Sequence, residues 1–168
     1  MEPALQLSDI HIRTTLQPGD IGYVTYLHGY LYSREYRLGI AFESYVAEGL
    51  LEFYHQYDPA RDRVWVCEHR DKIVGFLLLM HRGTAAQLRY FILHPDYRGI
   101  GLGKRLMELY MEFLQQAGYT SSYLWTINEL PAAVALYKRH GFVLAEEKPS
   151  EALFNRPVTE QRYELILN

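Results

Sequence analysis

The apolar positions of this chain change period several times, and each change marks an element. In IHIRTTL (residues 10–16) they alternate with polar ones, the period of a half-buried strand, and Pro18-Gly19-Asp20 then opens a helix that runs to roughly Tyr36. A second helix is predicted over about 40–57, where Phe42, Tyr45, Val46, Gly49, Leu50, Phe53, Tyr54 and Tyr57 recur at helical spacing and Asp58-Pro59 ends the run. VWVCEHR, the turn RDK and IVGFLLLMHR read as an antiparallel hairpin, and after Gly83 the segment AQLRYFILH is a nearly continuous apolar strand. Behind a glycine-rich stretch, Leu102, Leu106, Leu109, Tyr110, Phe113, Leu114 and Ala117 form one helical stripe that Gly118 stops. YTSSYLWTI is a strand, Pro131 starts a short helix ending in KRHG, and FVLAEE and TEQRYELIL are the last two strands. The order βαα-βββ-αβ-αβ-β predicts a mixed α/β domain built on one central sheet.

With 168 residues, 49% of them hydrophobic and 22% charged, the chain has the length of one domain, 1–168, with a single sizeable core. A net charge of −3 and a pI near 6.2, with no block of like charges, argue against nucleic acid as a partner, so any basic site must be local. The single cysteine, Cys67, excludes an intrachain disulfide and reads as a buried strand thiol. Its seven histidines show no metal-ligand spacing, so no metal is expected. The start, MEPALQLSDIHIR, lacks a basic segment followed by an apolar run, and nowhere do 18 apolar residues occur together. The expectation is a soluble, cytoplasmic protein with no membrane partner.

The stretch HPDYRGIGLGKRLMELY (94–110) is the first place where chemistry shows. Gly99, Gly101 and Gly103 lead into a helix whose first residues include Lys104 and Arg105, with Arg98 just before them. A helix N-terminus already carries about half a positive charge, so cations there need an anion to offset them. A dinucleotide-binding G-x-G-x-x-G fails, because Lys104 or Leu106 stands where the third glycine belongs. A Walker A loop fails because Arg105 follows Gly103-Lys104 where Ser or Thr is required. What remains is R-x-x-G-x-G at a strand-to-helix junction, where freed backbone N–H groups, Arg98, Lys104 and Arg105 would bracket a diphosphate.

YFILHPDYRGIGLGKRLMELYMEFLQQAGY followed by LWTINELPAAVALYKRHGF resembles the acetyl-coenzyme A motif and the downstream strand and helix of the GCN5-related N-acetyltransferases. Outside 87–143 the likeness is fainter, but HGYLYSREY and FYHQYDPARDRVWV are similar to acetyltransferase modules fused to MarR-type regulators, here without the winged-helix part. The resemblance implies a central sheet of about seven strands with about four helices, splayed between the fourth and fifth strands. It implies acetyl-CoA as co-substrate, with backbone of Phe91, Ile92 and Leu93 pairing its pantetheine arm as an added strand would. Arg98, Gly99, Ile100, Gly101, Leu102, Gly103 and Lys104 would hold the diphosphate, and an N–H near Leu93 would face the thioester oxygen. Tyr137 falls at the family's general acid, giving a proton to the departing thiolate. The family often has an Asn seven residues before that Tyr; Leu130 stands there, and Asn128 two residues earlier is the candidate cofactor contact. A homodimer is one assembly the resemblance leaves open.

The acceptor side is less determined. Gln87 occupies the place where the histone-modifying branch has a catalytic Glu, so the base is not named by the resemblance. Strand alternation puts Gln87, Arg89, Phe91 and Leu93 on one face, toward the cleft. Arg89 there would repel a protonated lysine and pair with a substrate carboxylate, or else it is paired within the protein. His28 and Glu35 on the first helix are further candidates for base or substrate contact. Aromatic residues of the first two helices, Tyr23 to Tyr57, are expected to lie mostly in the core or its rim, with a few lining an acceptor pocket. The reading is therefore an acetyl-CoA-dependent N-acetyltransferase for the primary amine of a small molecule, one bearing a carboxylate. The alternative is a non-catalytic module that binds or senses acyl-CoA.

Overall fold

The computed structural model describes residues 1–168. The strands are β1 (His11–Arg13), β2 (Arg63–His69), β3 (Lys72–Arg82), β4 (Ala85–Leu93), β5 (Ser121–Ile127), β6 (Val143–Ser150) and β7 (Val158–Ile166). The helices are α1 (Asp20–Tyr36), α2 (Ile40–Gln56), α3 (Leu102–Gln116) and α4 (Pro131–Arg139). One sheet runs β1-β2-β3-β4-β5-β7-β6, antiparallel except between β4 and β5. The expected element order holds throughout. β1 is shorter than the alternation of 10–16 predicts: the Arg13 guanidinium holds the Asp20 carboxylate at 2.7 Å and the Thr15 carbonyl at 2.6 Å, which turns the chain away from β2 and into α1.

Each face of the sheet carries its own helical layer. Leu77, Leu79, Ala86 and Leu88 pack under Leu102, Leu106, Tyr110 and Leu114 of α3, while Phe76, Leu78 and Met80 on the opposite face pack under Val24 and Leu27 of α1 and Val46, Leu50 and Phe53 of α2. A central strand covered on both sides has no polar face, and that is why β3 reads as an unbroken apolar run. The β2–β3 hairpin turns on Arg70 and Asp71, both at positive φ (50° and 65°), the backbone a two-residue turn needs to match the twist of its strands. Cys67 is fully buried, and burial pushes its thiol up to about 12, so it is inert at neutral pH. Of the aromatic residues on α1 and α2, Tyr23, Tyr26, Tyr30 and Tyr54 are exposed, as is Tyr57 just past the end of α2, against the expectation that most would be covered.

Two features of β4 shape the cleft beside it. It pairs with β5 only from Ala85 to Gln87, against Ser121 to Tyr123, after which the strands diverge and the β5-facing edge of β4 is left without a strand partner. It also carries an irregularity opposite Phe76 to Leu78, with Tyr90 at φ 58°. The extra residue there reverses the alternation. Gln87 and Arg89 face the α1–α2 layer, Tyr90 and Ile92 follow them onto that face, and Phe91 and Leu93 turn to the α3 layer. The single-face alternation of Gln87, Arg89, Phe91 and Leu93 expected from the sequence is thus corrected: a bulge is invisible to a period-two count.

Candidate functional site

The split between β4 and β5 opens into two adjoining cavities. The outer one lies over the β4 end, between the glycine segment, the end of α1 and the face of α4; the inner one lies between the bulged part of β4, α1 and α2 on one wall and β5 and β7 on the other. Tyr32, Phe91, Leu130 and Ala133 line both, so they mark the passage between them.

The outer cleft is floored by Phe91, Ile92 and Leu93 and rimmed by Arg98, Gly99, Gly101, Gly103 and Lys104, which brings these expected residues together around one cavity. Gly101 is the N-cap of α3 at φ 88°, a conformation costly for other residues, and offers no side chain to cap the first N–H groups of the helix. Those donors and the positive end of the helix are what an anion in the cleft would meet. Gly103 plays a second part. A Cβ built on it stands 3.3 Å from Leu136 Cδ2 and 3.4 Å from Leu93 Cδ1, so it also allows α3 to seat closely against β4 and α4.

Several expected contacts are corrected here. The side chains of Ile100 and Leu102 do not line the cleft: Leu102 is buried and Ile100 packs at the margin of the α3-side core, so any contact these two residues make with an anion would come from their backbone. Arg105 turns along the outside of α3 to Glu108 and Glu112, at 3.4 and 3.7 Å, and is not aimed into the cleft. Asn128 is exposed, lines neither cavity, and is held by its backbone N–H to the Thr159 carbonyl at 3.1 Å. Glu35, a candidate for the acceptor side, belongs to the outer cleft, where Arg98 holds its carboxylate with two hydrogen bonds of 2.9 and 3.1 Å. Arg139, at the C-terminal end of α4, is a cleft cation that sequence reasoning missed, since a basic residue in a helix's last turn is ordinarily explained by the helix dipole.

The inner cavity is mostly hydrophobic and rich in aromatic rings, with Tyr32, Phe42, Tyr45, Tyr90, Phe91, Trp125, Tyr137 and Phe154 in its walls. Tyr137 is 5% exposed and packs near Phe91 and Phe142, with ring centroids 6.2 and 6.1 Å away. Burial, with a smaller contribution from Tyr32, pushes its hydroxyl well above the ordinary phenol range, so it is protonated at any physiological pH. Arg89 is buried between the rings of Tyr45 and Tyr90, 5.2 and 4.7 Å from their centroids, and lies 3.7 Å from Glu52 of α2. Glu52 also accepts from Arg82, and that hydrogen bond, outweighing partial burial, lowers its carboxyl below the usual range. Gln87 accepts from Arg82 at 3.0 Å through its Oε1, so that oxygen is a structural link. Arg89 thus has a carboxylate partner within the protein, and it also lines the cavity.

His28 lines the same cavity at 2% exposure, its Nδ1 2.8 Å from the Val24 carbonyl and its Nε2 without a partner. Glu160 of β7 is the second residue missed; it faces in from the opposite wall, 3.9 Å from Lys148. Nothing in TEQRYELIL distinguishes it, because only the sheet order beyond the split carries β7 to the cavity. No group of three or more His, Cys, Asp or Glu side chains is placed to hold a metal ion, and no helix is long and apolar enough to cross a membrane.

A seven-stranded mixed sheet split at a parallel β4–β5 pair, with a glycine-capped helix facing the split, is the architecture of acetyl-transferring enzymes. The profile of the acetyltransferase (GNAT) family matches residues 30–142, which include β4, the glycine segment and α4, and the chain belongs to that family. An uncharacterized N-acetyltransferase of Methanocaldococcus jannaschii is 30% identical over 127 residues, covering 70% of this chain and 54% of that protein. The chain spans about half the length of the curated relatives it matches. Among solved structures, an acetyltransferase of Streptococcus agalactiae superposes with a TM-score of 0.74 at 20% identity, over 96% of this chain and 100% of that one. The spermidine N-acetyltransferase of Vibrio cholerae, solved with CoA and spermine, superposes with a TM-score of 0.70 at 24% identity, over 95% and 96%.

Proposed function

We propose that the chain transfers the acetyl group of acetyl-CoA to the primary amine of a small molecule that also bears a carboxylate, with Tyr137 as general acid. The observation that carries this reading is the junction of the two cavities: a cleft with a helix N-terminus, Lys104 and Arg139 for a diphosphate opens, past Tyr32 and Phe91, into an aromatic chamber walled by a protonated Tyr137. Acetyl-CoA supplies an activated thioester. The unpaired edge of β4 at Phe91 to Leu93 suits the extended pantetheine arm, and backbone N–H groups there are the donors available to a thioester oxygen. As the amine nitrogen bonds to the acetyl carbon and the carbon–sulfur bond breaks, Tyr137 gives its proton to the sulfur, and the proton lost from nitrogen leaves through water and restores the phenol.

The charges in and around the chamber favour an acid on the acceptor. Of the charged side chains that line the chamber, Arg89 on one wall is the group a carboxylate can meet and Glu160 on the other is the group left for the amine end. An acceptor with both an amine and a carboxylate matches that pair of opposite charges, whereas a polycation such as the spermine of the Vibrio cholerae protein has no group for Arg89. Thiol release from acetyl-CoA, measured over a panel of amino acids, their amides and simple amines, tests the reading. Release with amino acids, falling selectively in Arg89→Ala against their amides, supports it. Tight acetyl-CoA binding without release on any amine would establish the acyl-CoA-binding module in its place.

A further inference from the structure

We propose that His28 recognises the reacting amine, its Nε2 accepting a hydrogen bond from the amine N–H and so aiming the nitrogen lone pair at the thioester carbon; this rests on the acetyltransferase reading. Three observations lead there. The first is the tautomer. Nδ1 lies 2.8 Å from the Val24 carbonyl, and a carbonyl oxygen only accepts, so Nδ1 carries the hydrogen and Nε2 is a bare lone pair. The second is that this lone pair is buried without a partner in a residue 2% exposed. A buried acceptor left unpaired is costly, and a phenylalanine would fill the same place among Tyr32, Phe42 and Tyr90 without that cost. A ligand that brings a donor turns the cost into recognition.

The third is position. His28 stands one helical turn before Tyr32, its ring stacked on that of Tyr32 at 5.7 Å, and Tyr32 lines the passage where the two cavities meet. A donor reaching Nε2 is therefore close to where thioester and amine come together, whereas Arg89 lies on the other side of the β4 bulge, toward the start of the strand. Burial also lowers the imidazolium to about 4, so at neutral pH the ring holds a hydrogen bond and does not take the amine's proton. His28 is in this scheme a positioning contact on the substrate.

The test has a structural arm and a kinetic arm. In protein labelled with 15N at histidine, long-range proton–nitrogen correlation at neutral pH should show His28 protonated at Nδ1 and bare at Nε2; protonation at Nε2 overturns the proposal. In the kinetic arm, His28→Phe, which keeps the ring packing, and His28→Gln, whose amide oxygen reaches the place of Nε2, are compared with wild type on L-phenylalanine and benzylamine. The expected result is a loss of about ten- to a hundredfold in kcat/KM for His28→Phe, partial recovery in His28→Gln, and an unchanged acetyl-CoA dissociation constant in both. Wild-type kcat/KM in His28→Phe overturns the proposal while leaving the acetyltransferase reading standing. Absence of thiol release by the wild type with every amine counts against that reading instead, and the tautomer then decides for or against the bare acceptor.

Discussion

Arg98 and Glu35 face each other across the outer cleft, the guanidinium giving two parallel hydrogen bonds to the carboxylate and a third, at 3.3 Å, to the Leu93 carbonyl. The first residue of the R-x-x-G-x-G pattern is thus tied to the end of α1, half exposed at 46% against 25% for Glu35. A pair so exposed contributes about 0–1 kcal/mol, little enough for a diphosphate to displace. Removing the competing carboxylate should free Arg98 for the ligand. Glu35→Gln is expected to tighten coenzyme A binding about two- to fivefold, and Arg98→Ala to weaken it and flatten its salt dependence, both measured by calorimetry at two ionic strengths. Weaker binding in Glu35→Gln would mean that the pair, intact, shapes the cleft.

Tyr137→Phe keeps the ring against Phe91 and Phe142 and deletes the proton donor. A positioned general acid is worth roughly 10²–10⁴ in rate, so turnover at saturating acetyl-CoA should fall by at least the lower figure with the cofactor dissociation constant unchanged. Wild-type turnover with chemistry rate-limiting would remove Tyr137 from the mechanism.

Gly49 of α2 leaves the space that the bulge needs. A Cβ there would overlap the Tyr90 hydroxyl and stand 2.8 Å from Arg89 Nη2. Gly49→Ala is expected to cost about 1–3 kcal/mol of stability by denaturant unfolding, despite the better helix propensity of alanine. Tyr90→Phe, which removes a buried hydroxyl that has no partner, should by itself be neutral or stabilising and should recover part of the loss in the double variant. Strict additivity of the two changes would show that the contact is not the cause.

The buried imidazole of His28 sets a pH dependence whose sign is fixed. Its pKa falls from 6.5 to about 4 on folding, so between those values the unfolded chain binds the proton and the folded protein does not. Stability from this group is complete above pH 6.5 and is lost as the pH falls toward 4, at about 1.4 kcal/mol for each unit of the interval. Urea unfolding of wild type and His28→Phe at pH 7 and pH 5 should show a smaller acid loss in the variant. Equal losses would mean that His28 titrates normally in the folded state.

What the amino-acid sequence determined was whatever is encoded locally. The apolar run of β3, the stripe of α3 and the turn residues around Gly83 and Gly118 set the order of elements, because the side chains that define each element are neighbours along the chain. The glycine segment was legible for the same reason: Gly101 must adopt φ 88° at a helix start whatever surrounds it. The tertiary structure alone decided which groups face the chamber. One extra residue at Tyr90 reversed the facing of β4 and moved Phe91 and Leu93 away from Arg89's side. Sheet order brought Glu160 of β7 opposite Arg89, and helix packing gave Glu35 to Arg98 and Glu52 to Arg82 and Arg89. Such pairings join residues far apart in the chain, and they depend on register, bulges and the angle at which layers meet, none of which leaves a periodic trace.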